Sequence, residues 1–197
     1  MRRNKGIENK NEIVVKDNAD VISSCRCWYN VIYIGHDPKL VHVLDGGLKK
    51  WKKENKSINN KEMIAKTSVY SCKENTKLVK NKKQIDENID NNNFNVIDGR
   101  SKDRFEGKVA EPRKGLRSGS IKNSLCLPFG ELINEDHKFI SKDKIVEKYK
   151  SKKIDDSKNV VYTCGSGVTA SVLALAYSLI NAKYMPTIYD SSWSEQR

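Results

Sequence analysis

A chain of 197 residues, 37% hydrophobic and 31% charged, has apolar side chains enough to bury a core and fits one domain of ordinary size, or one domain plus a fragment. It has no unbroken apolar run of the roughly 18 residues that a membrane span requires, and no apolar h-region follows its basic opening, Met1-Arg2-Arg3-Asn4-Lys5, so no secretory signal and no membrane partner are predicted, and the cytoplasm is the expected compartment. Its net charge of +12 is spread over the whole chain as Lys and Asn, from Lys49-Lys50-Trp51-Lys52-Lys53 to Asn91-Asn92-Asn93, without the aromatic-interleaved basic motif of a nucleic-acid binder, so no nucleic-acid partner is predicted.

In chain order, residues 1–12 are polar and read as a frayed start. Ile13-Val14-Val15 reads as a short buried strand and residues 21–34 as a helix stopped by Gly35. Val41-His42-Val43-Leu44 is a second strand closed by Asp45-Gly46-Gly47, followed by a helical turn or two over 48–53. The polar stretch 54–66 is predicted as the linker between an amino-terminal part, 1–65, and a second domain, 66–197.

In that second domain, Ile85 and Ile89 stand four residues apart among charges and predict a helix over 82–91, with the Asn run after it as a turn. Residues 94–97 form a strand ending at Asp98-Gly99-Arg100, and 101–120 form a long loop, of a length that is uncommon unless functional. A helix over 142–150, a strand over 159–162, an apolar helix over 169–180 and a last strand over 187–189 complete the pattern. Strands alternating with helices predict an α/β fold around a mostly parallel sheet.

Five cysteines, Cys25, Cys27, Cys72, Cys126 and Cys164, form neither a Cys-x-x-Cys pair nor an even-numbered framework, which predicts reduced thiols and no metal site. Cys164 stands apart. It follows the strand Val160-Val161-Tyr162-Thr163 and opens the turn Gly165-Ser166-Gly167-Val168-Thr169 before a helix. Backbone N–H groups of such a turn and the positive end of the helix dipole favour thiolate over thiol, whose reference pKa is about 8.5. A cysteine at a strand end is otherwise a small buried hydrophobe.

Phosphate chemistry fits the same turn poorly. A P-loop closes on Gly-Lys-Ser/Thr, where this chain has Gly167-Val168-Thr169, and the arginine that closes the loop of a cysteine-dependent phosphatase is replaced by Ala170. A second cluster, Asp98-Gly99-Arg100-Ser101-Lys102-Asp103-Arg104-Phe105 with Glu111-Pro112-Arg113, offers planar guanidinium forks suited to a carboxylate or small oxyanion. Arg104 and Arg113 are the candidate clamps above Cys164, and a solvated loop with a local pair to Glu111 is the alternative.

The two clusters, with Tyr189-Asp190-Ser191-Ser192-Trp193-Ser194-Glu195, resemble the carboxy-terminal half of the rhodanese family of sulfurtransferases from about residue 67 to 196. The Cys-Gly-Ser-Gly-Val-Thr-Ala loop is similar to the family's mercaptopyruvate branch. Upstream, Cys25-Arg26-Cys27-Trp28-Tyr29, Gly35-His36 and Val41 to Trp51 resemble the end of the family's amino-terminal, non-catalytic domain.

The resemblance implies a rhodanese-like domain preceded by a partial one. It implies sulfur transfer from 3-mercaptopyruvate or thiosulfate through a persulfide on Cys164 to a thiol or cyanide, with Arg104 and Arg113 binding donor oxygens and no cofactor. Asp98 and Asp190 become supports near the loop. A shortened, weakly active or inactive sulfur-carrier module is the competing expectation. The chain departs from the family at Gly119-Ser120-Ile121-Lys122-Asn123-Ser124, at Gln196, and at Ser191 in place of a glycine, where a positive φ costing about 1 kcal/mol is expected.

Overall fold

A computed structural model describes residues 6–18, 22–61, 64 and 66–196. Its elements run Ile13–Val15 (β1), Ile22–Tyr33 (α1), Val41–Val43 (β2), Gly47–Lys53 (α2), Val79–Lys80 (β3), Lys82–Asn91 (α3), Phe94–Asp98 (β4), Lys102–Phe105 (α4), Leu125–Cys126 (β5), Lys142–Lys150 (α5), Asn159–Thr163 (β6), Ala170–Ile180 (α6) and Thr187–Tyr189 (β7). β1 and β2 form a parallel pair with Ile13 opposite Val41. The other five strands form one sheet in the order β3-β7-β6-β4-β5, every pairing parallel. Parallel neighbours need crossovers, and helices supply them, so the fold is α/β.

β6 sits at the centre of the sheet, and Val160, Val161, Tyr162 and Thr163 are at most 2% exposed, the continuous apolar run of a strand covered on both faces. α6 is buried along Ala170–Ala176 because α1 packs on one side of it and α5 on another. Cys25, Trp28, Tyr29 and Ile32 of α1 join Leu173 and Leu175 of α6 in one apolar cluster. Local chemistry bounds α3: Asn81 and Gln84 cap its start reciprocally, and Asn92 ends it in the left-handed region at φ 48°.

The chain builds one unit twice. β1, α1, β2 and α2 repeat the order of β6, α6, β7 and the 3-10 turn Ser192–Glu195. In the first unit the N–H of Leu48 donates to the Asp17 carbonyl at 2.8 Å, and in the second that of Trp193 donates to the Cys164 carbonyl at 3.0 Å. Asp17 thus holds in the first unit the place of Cys164 in the second, and its carboxylate accepts the Ser24 N–H at 2.7 Å.

Some expectations change. Residues 7–11 are tied rather than frayed: Asn9 exchanges two hydrogen bonds with Ser71, Ser68 donates to the Ile7 carbonyl, and a ring nitrogen of His36 meets the Asn11 carbonyl at 2.9 Å. Residues 1–5, Val21 and positions 62, 63 and 65 of the predicted linker lie outside the described residues. The loop 101–120 contains the one-turn helix α4. The glycine-to-serine change also falls differently, since Ser191 has φ −69° and the left-handed residue is Ser192, at φ 51°. The matching turn in the first unit takes positive φ at both Gly46 and Gly47; the 3-10 turn of the second needs it at one position only, so Ser191 is relaxed.

Candidate active site

The carboxyl edge of a parallel sheet is where such folds place ligands, and Cys164, Asp98 and Asp190 all stand there, at the ends of β6, β4 and β7. Cys164 is 1% exposed. Its N–H donates to Ser192 Oγ at 3.1 Å, and that hydroxyl in turn donates to the Tyr189 carbonyl at 2.8 Å. The carbonyls of Cys164 and Gly165 accept the N–H groups of Trp193 and Ser194, each at 3.0 Å. The 3-10 turn therefore clamps the start of the loop.

Its far end is held by shape. Gly167 has φ 78°, and a Cβ there would collide with the Asp190 carbonyl oxygen, so both conformation and space demand glycine. The left-handed strain at Ser192 is kept in place by its two hydroxyl bonds. Ser192→Ala is expected to leave the Cys164 N–H buried without a partner and to lower stability by about 1–3 kcal/mol. Chemical denaturation checks this, and an unchanged midpoint would show that the hydroxyl is dispensable.

Facing the loop is a buried ionic quartet. Asp98 and Arg100 are 0% and 2% exposed, with Arg100 Nη2 at 2.7 Å from Asp98 Oδ2 and Nη1 at 2.8 Å from Glu111 Oε1. Glu111 also takes Arg104 as a fork, Nε to Oε1 at 3.1 Å and Nη2 to Oε2 at 2.5 Å. Two cations meet two anions, which is how buried charge is tolerated. Arg100 Nη2 also donates to the Gly119 carbonyl at 2.8 Å. Both Arg100 and Arg117 lie over the Trp193 ring, at 4.5 and 4.2 Å from its centre.

Burial works against charge on both Arg100 and Glu111, but the partners prevail. Desolvation favours a neutral Arg100, yet the hydrogen bond and charge of Asp98, then Glu111, raise its pKa above the ordinary value. Desolvation likewise opposes the Glu111 carboxylate, yet the hydrogen bond from Arg104 and the charge of Arg100 hold it below the usual carboxylate range.

Between quartet and loop lies a cleft of about 200 Å³. Arg104, Glu111, Pro112, Arg113 and Leu116 form one wall, and Gly165, Ser166, Val168 and Thr169 the other. A Cβ added to Gly165 would lie 3.1 Å from Arg104 Nη2, so the guanidinium rests against the loop. Arg113 is exposed. Both candidate arginines and the loop thus share one small concavity; Cys164, which precedes Gly165, is buried and is not among its lining residues. Arg104 is already paired with Glu111, as the alternative reading of the cluster anticipated.

Three contributors escape the sequence-level reading. Arg100 acts through tertiary pairing, and its signal in the sequence is an Asp-x-Arg directly at a strand end, where a buried carboxylate needs a cation. Ser192 carries no signal of its own in the sequence, where the departure from the family falls on Ser191. Arg26 of α1 donates to the Gly167 carbonyl at 3.2 Å and pairs with Asp190 Oδ1 at 2.6 Å. It is the single charged residue in Ile22–Tyr33, and a lone charge in an otherwise uncharged helix signals a partner.

Comparison with known proteins bears on this geometry. The rhodanese-like domain pattern matches residues 81–195. The 3-mercaptopyruvate sulfurtransferase of Mus musculus is 34% identical over 192 residues, covering 96% of this chain and 64% of its own length. Thiosulfate/3-mercaptopyruvate sulfurtransferase 1, mitochondrial, of Arabidopsis thaliana is 32% identical over 211 residues, covering 96% of this chain and 55% of its own. The crystal structure of SseA from Escherichia coli, described with the fold and mechanism of 3-mercaptopyruvate sulfotransferases, superposes with a TM-score of 0.83 at 25% identity, covering 97% of this chain and 70% of that one. The chain therefore spans 55% and 64% of the lengths of these two curated relatives.

Proposed function

The chain belongs to the rhodanese-like family, and on that premise we propose that it is a sulfurtransferase whose sulfur carrier is Cys164. The observation that supports this most is the shared cleft, where two guanidiniums stand across about 200 Å³ from the loop that Cys164 opens. With 3-mercaptopyruvate, the Cys164 thiolate attacks the donor sulfur and the donor's C–S bond breaks. The bonding pair leaves on carbon as the enolate of pyruvate, which takes up a proton. With thiosulfate, the S–S bond breaks and sulfite leaves. The outer persulfide sulfur then passes to a thiol or to cyanide, and the Cys164 thiolate returns.

In this reading Arg104 and Arg113 bind the donor's carboxylate and keto oxygens, or the oxygens of thiosulfate, and Gly165, Ser166, Gly167, Val168 and Thr169 shape the loop around the sulfur. Residues 1–65 are the end of an amino-terminal rhodanese-like unit and 66–197 the catalytic one, joined through the core that α1 and α6 share. We place the protein in the cytoplasm with no nucleic-acid or membrane partner and no cofactor; no helix among the described residues is long and apolar enough to cross a membrane. A second reading, a weakly active sulfur-carrier module, draws support from the burial of Cys164 and the pairing of Arg104 with Glu111.

Intact-mass measurement before and after brief exposure to 3-mercaptopyruvate, and separately to thiosulfate, tests the proposal. A gain of one sulfur with either donor is expected, followed by its loss on adding cyanide. No gain in folded protein would sink it, and saturable multiple turnover would exclude the carrier reading. Arg113→Ala is expected to leave the melting temperature unchanged and to raise the donor KM by about tenfold to a hundredfold, the worth of a lost charge-assisted hydrogen bond. An unchanged KM would remove Arg113 from the site.

A further inference from the structure

The Arg26 contact is unaccounted for by the cleft. Arg26 is 24% exposed at its side chain, and its guanidinium carbon sits 5.4 Å from the centre of the Tyr29 ring. From there Nη1 reaches a carbonyl 141 residues away in sequence, that of Gly167, and the Asp190 carboxylate beside it. Gly167 is the left-handed residue of the Cys164 loop, and its peptide bond to Val168 lies just ahead of Thr169 and Ala170, where α6 starts. Ser171 Oγ, at 3.4 Å, is a longer second partner for the same carbonyl.

We propose that Arg26 is a positioning residue for the reaction. By holding the Gly167 carbonyl outward against Asp190, it turns the Val168 N–H toward the concave side of the loop, where the Cys164 sulfur takes and gives up its charge. The inference rests on the sulfur-transfer reading. In a trans peptide the C=O and the following N–H point in opposite directions, so anchoring one aims the other. A glycine flanking that peptide gives it freedom to rotate, and of the two groups that hold its carbonyl the Arg26 guanidinium, at 3.2 Å, is nearer than Ser171 Oγ, at 3.4 Å. A fixed N–H near developing negative charge is a preorganised donor, which acts on the rate of the chemical step rather than on donor binding. An element of the first structural unit thereby completes the loop of the second.

The test compares wild type with Arg26→Met, which keeps the stem on Tyr29 and removes both contacts, and with Arg26→Lys. Expected for Arg26→Met is a fall in kcat of about tenfold to a hundredfold with little change in donor KM. Arg26→Lys, which keeps a charged donor, should recover much of the loss. A folded Arg26→Met protein with unchanged kcat, or with its loss confined to KM, overturns the proposal. If Arg26→Met does not fold, Asp190→Asn carries the comparison, because it leaves the guanidinium without its anchor. A fall in kcat then supports the proposal and an unchanged kcat overturns it. If wild type itself takes up no sulfur, the sulfur-transfer reading fails separately, and the positioning role is read from the rate of Cys164 alkylation by iodoacetamide. That rate is expected to drop about tenfold in Arg26→Met, and equal rates would overturn it.

Discussion

Cys164→Ser is expected to fold as wild type does and to take up no sulfur from either donor, with turnover lower by at least about a thousandfold. The exchange replaces sulfur by the smaller oxygen at a site 1% exposed, beside a backbone that Ser192, Trp193 and Ser194 already hold, so the loop itself has little reason to move. What disappears is the atom that forms the S–S bond, and a hydroxyl has no comparable nucleophilicity at neutral pH. The remaining thiols serve as internal controls. Burial, then the nearby charges of Asp17 and Asp45, push the Cys25 thiol far up. Burial, with Asp98 next, raises that of Cys126 to about 11, so both stay protonated and unreactive. Cys27 and Cys72 are exposed and free, and peptide mapping separates adventitious sulfur on them from sulfur on Cys164. Saturable transfer surviving in the serine variant would mean that the reagent lies elsewhere.

The Cys164 loop is legible in the sequence because three local signals coincide there: a strand buried on both faces, two glycines, and an apolar helix. α3 and α5 are equally legible, since their starts are written by residues that cap them within one turn, Asn81 and Ser141. β3 and β5 are not, because two residues at the flanks of a sheet have no period to detect. The cleft wall was half legible. Arginines near a long loop announce anion binding, but whether they are free or paired depends on Glu111, and the same loop sequence permits both. Arg26 shows the deeper limit. Its partners, Gly167 and Asp190, become neighbours only when α1 packs on α6, and no spacing within 22–33 encodes that distance.

Glu111→Gln is expected to lower stability at neutral pH by about 3–5 kcal/mol, the usual consequence of removing one partner from a buried pair, and to raise the donor KM. Glu111 is 2% exposed at its side chain and touches both Arg100 and Arg104. An amide accepts at one atom only and carries no charge, so Arg100 would keep Asp98 as its one anionic partner, and Arg104 would lose the fork that rests it against Gly165. The sign of the pH effect follows from the lowered pKa of Glu111. Its contribution is fully present above the unfolded-state carboxylate pKa of about 4.3 and is lost as pH falls through the lower folded-state value. Wild type and Glu111→Gln should therefore differ most in denaturation midpoint near neutrality and converge in acid, below the folded-state pKa of Glu111. A gap that stayed constant from neutral to acid pH would show that the loss comes from packing rather than from the carboxylate's charge. If the midpoints matched at every pH, the quartet would contribute nothing to stability, and Arg104 would owe its place against the loop to the backbone of 101–113 alone.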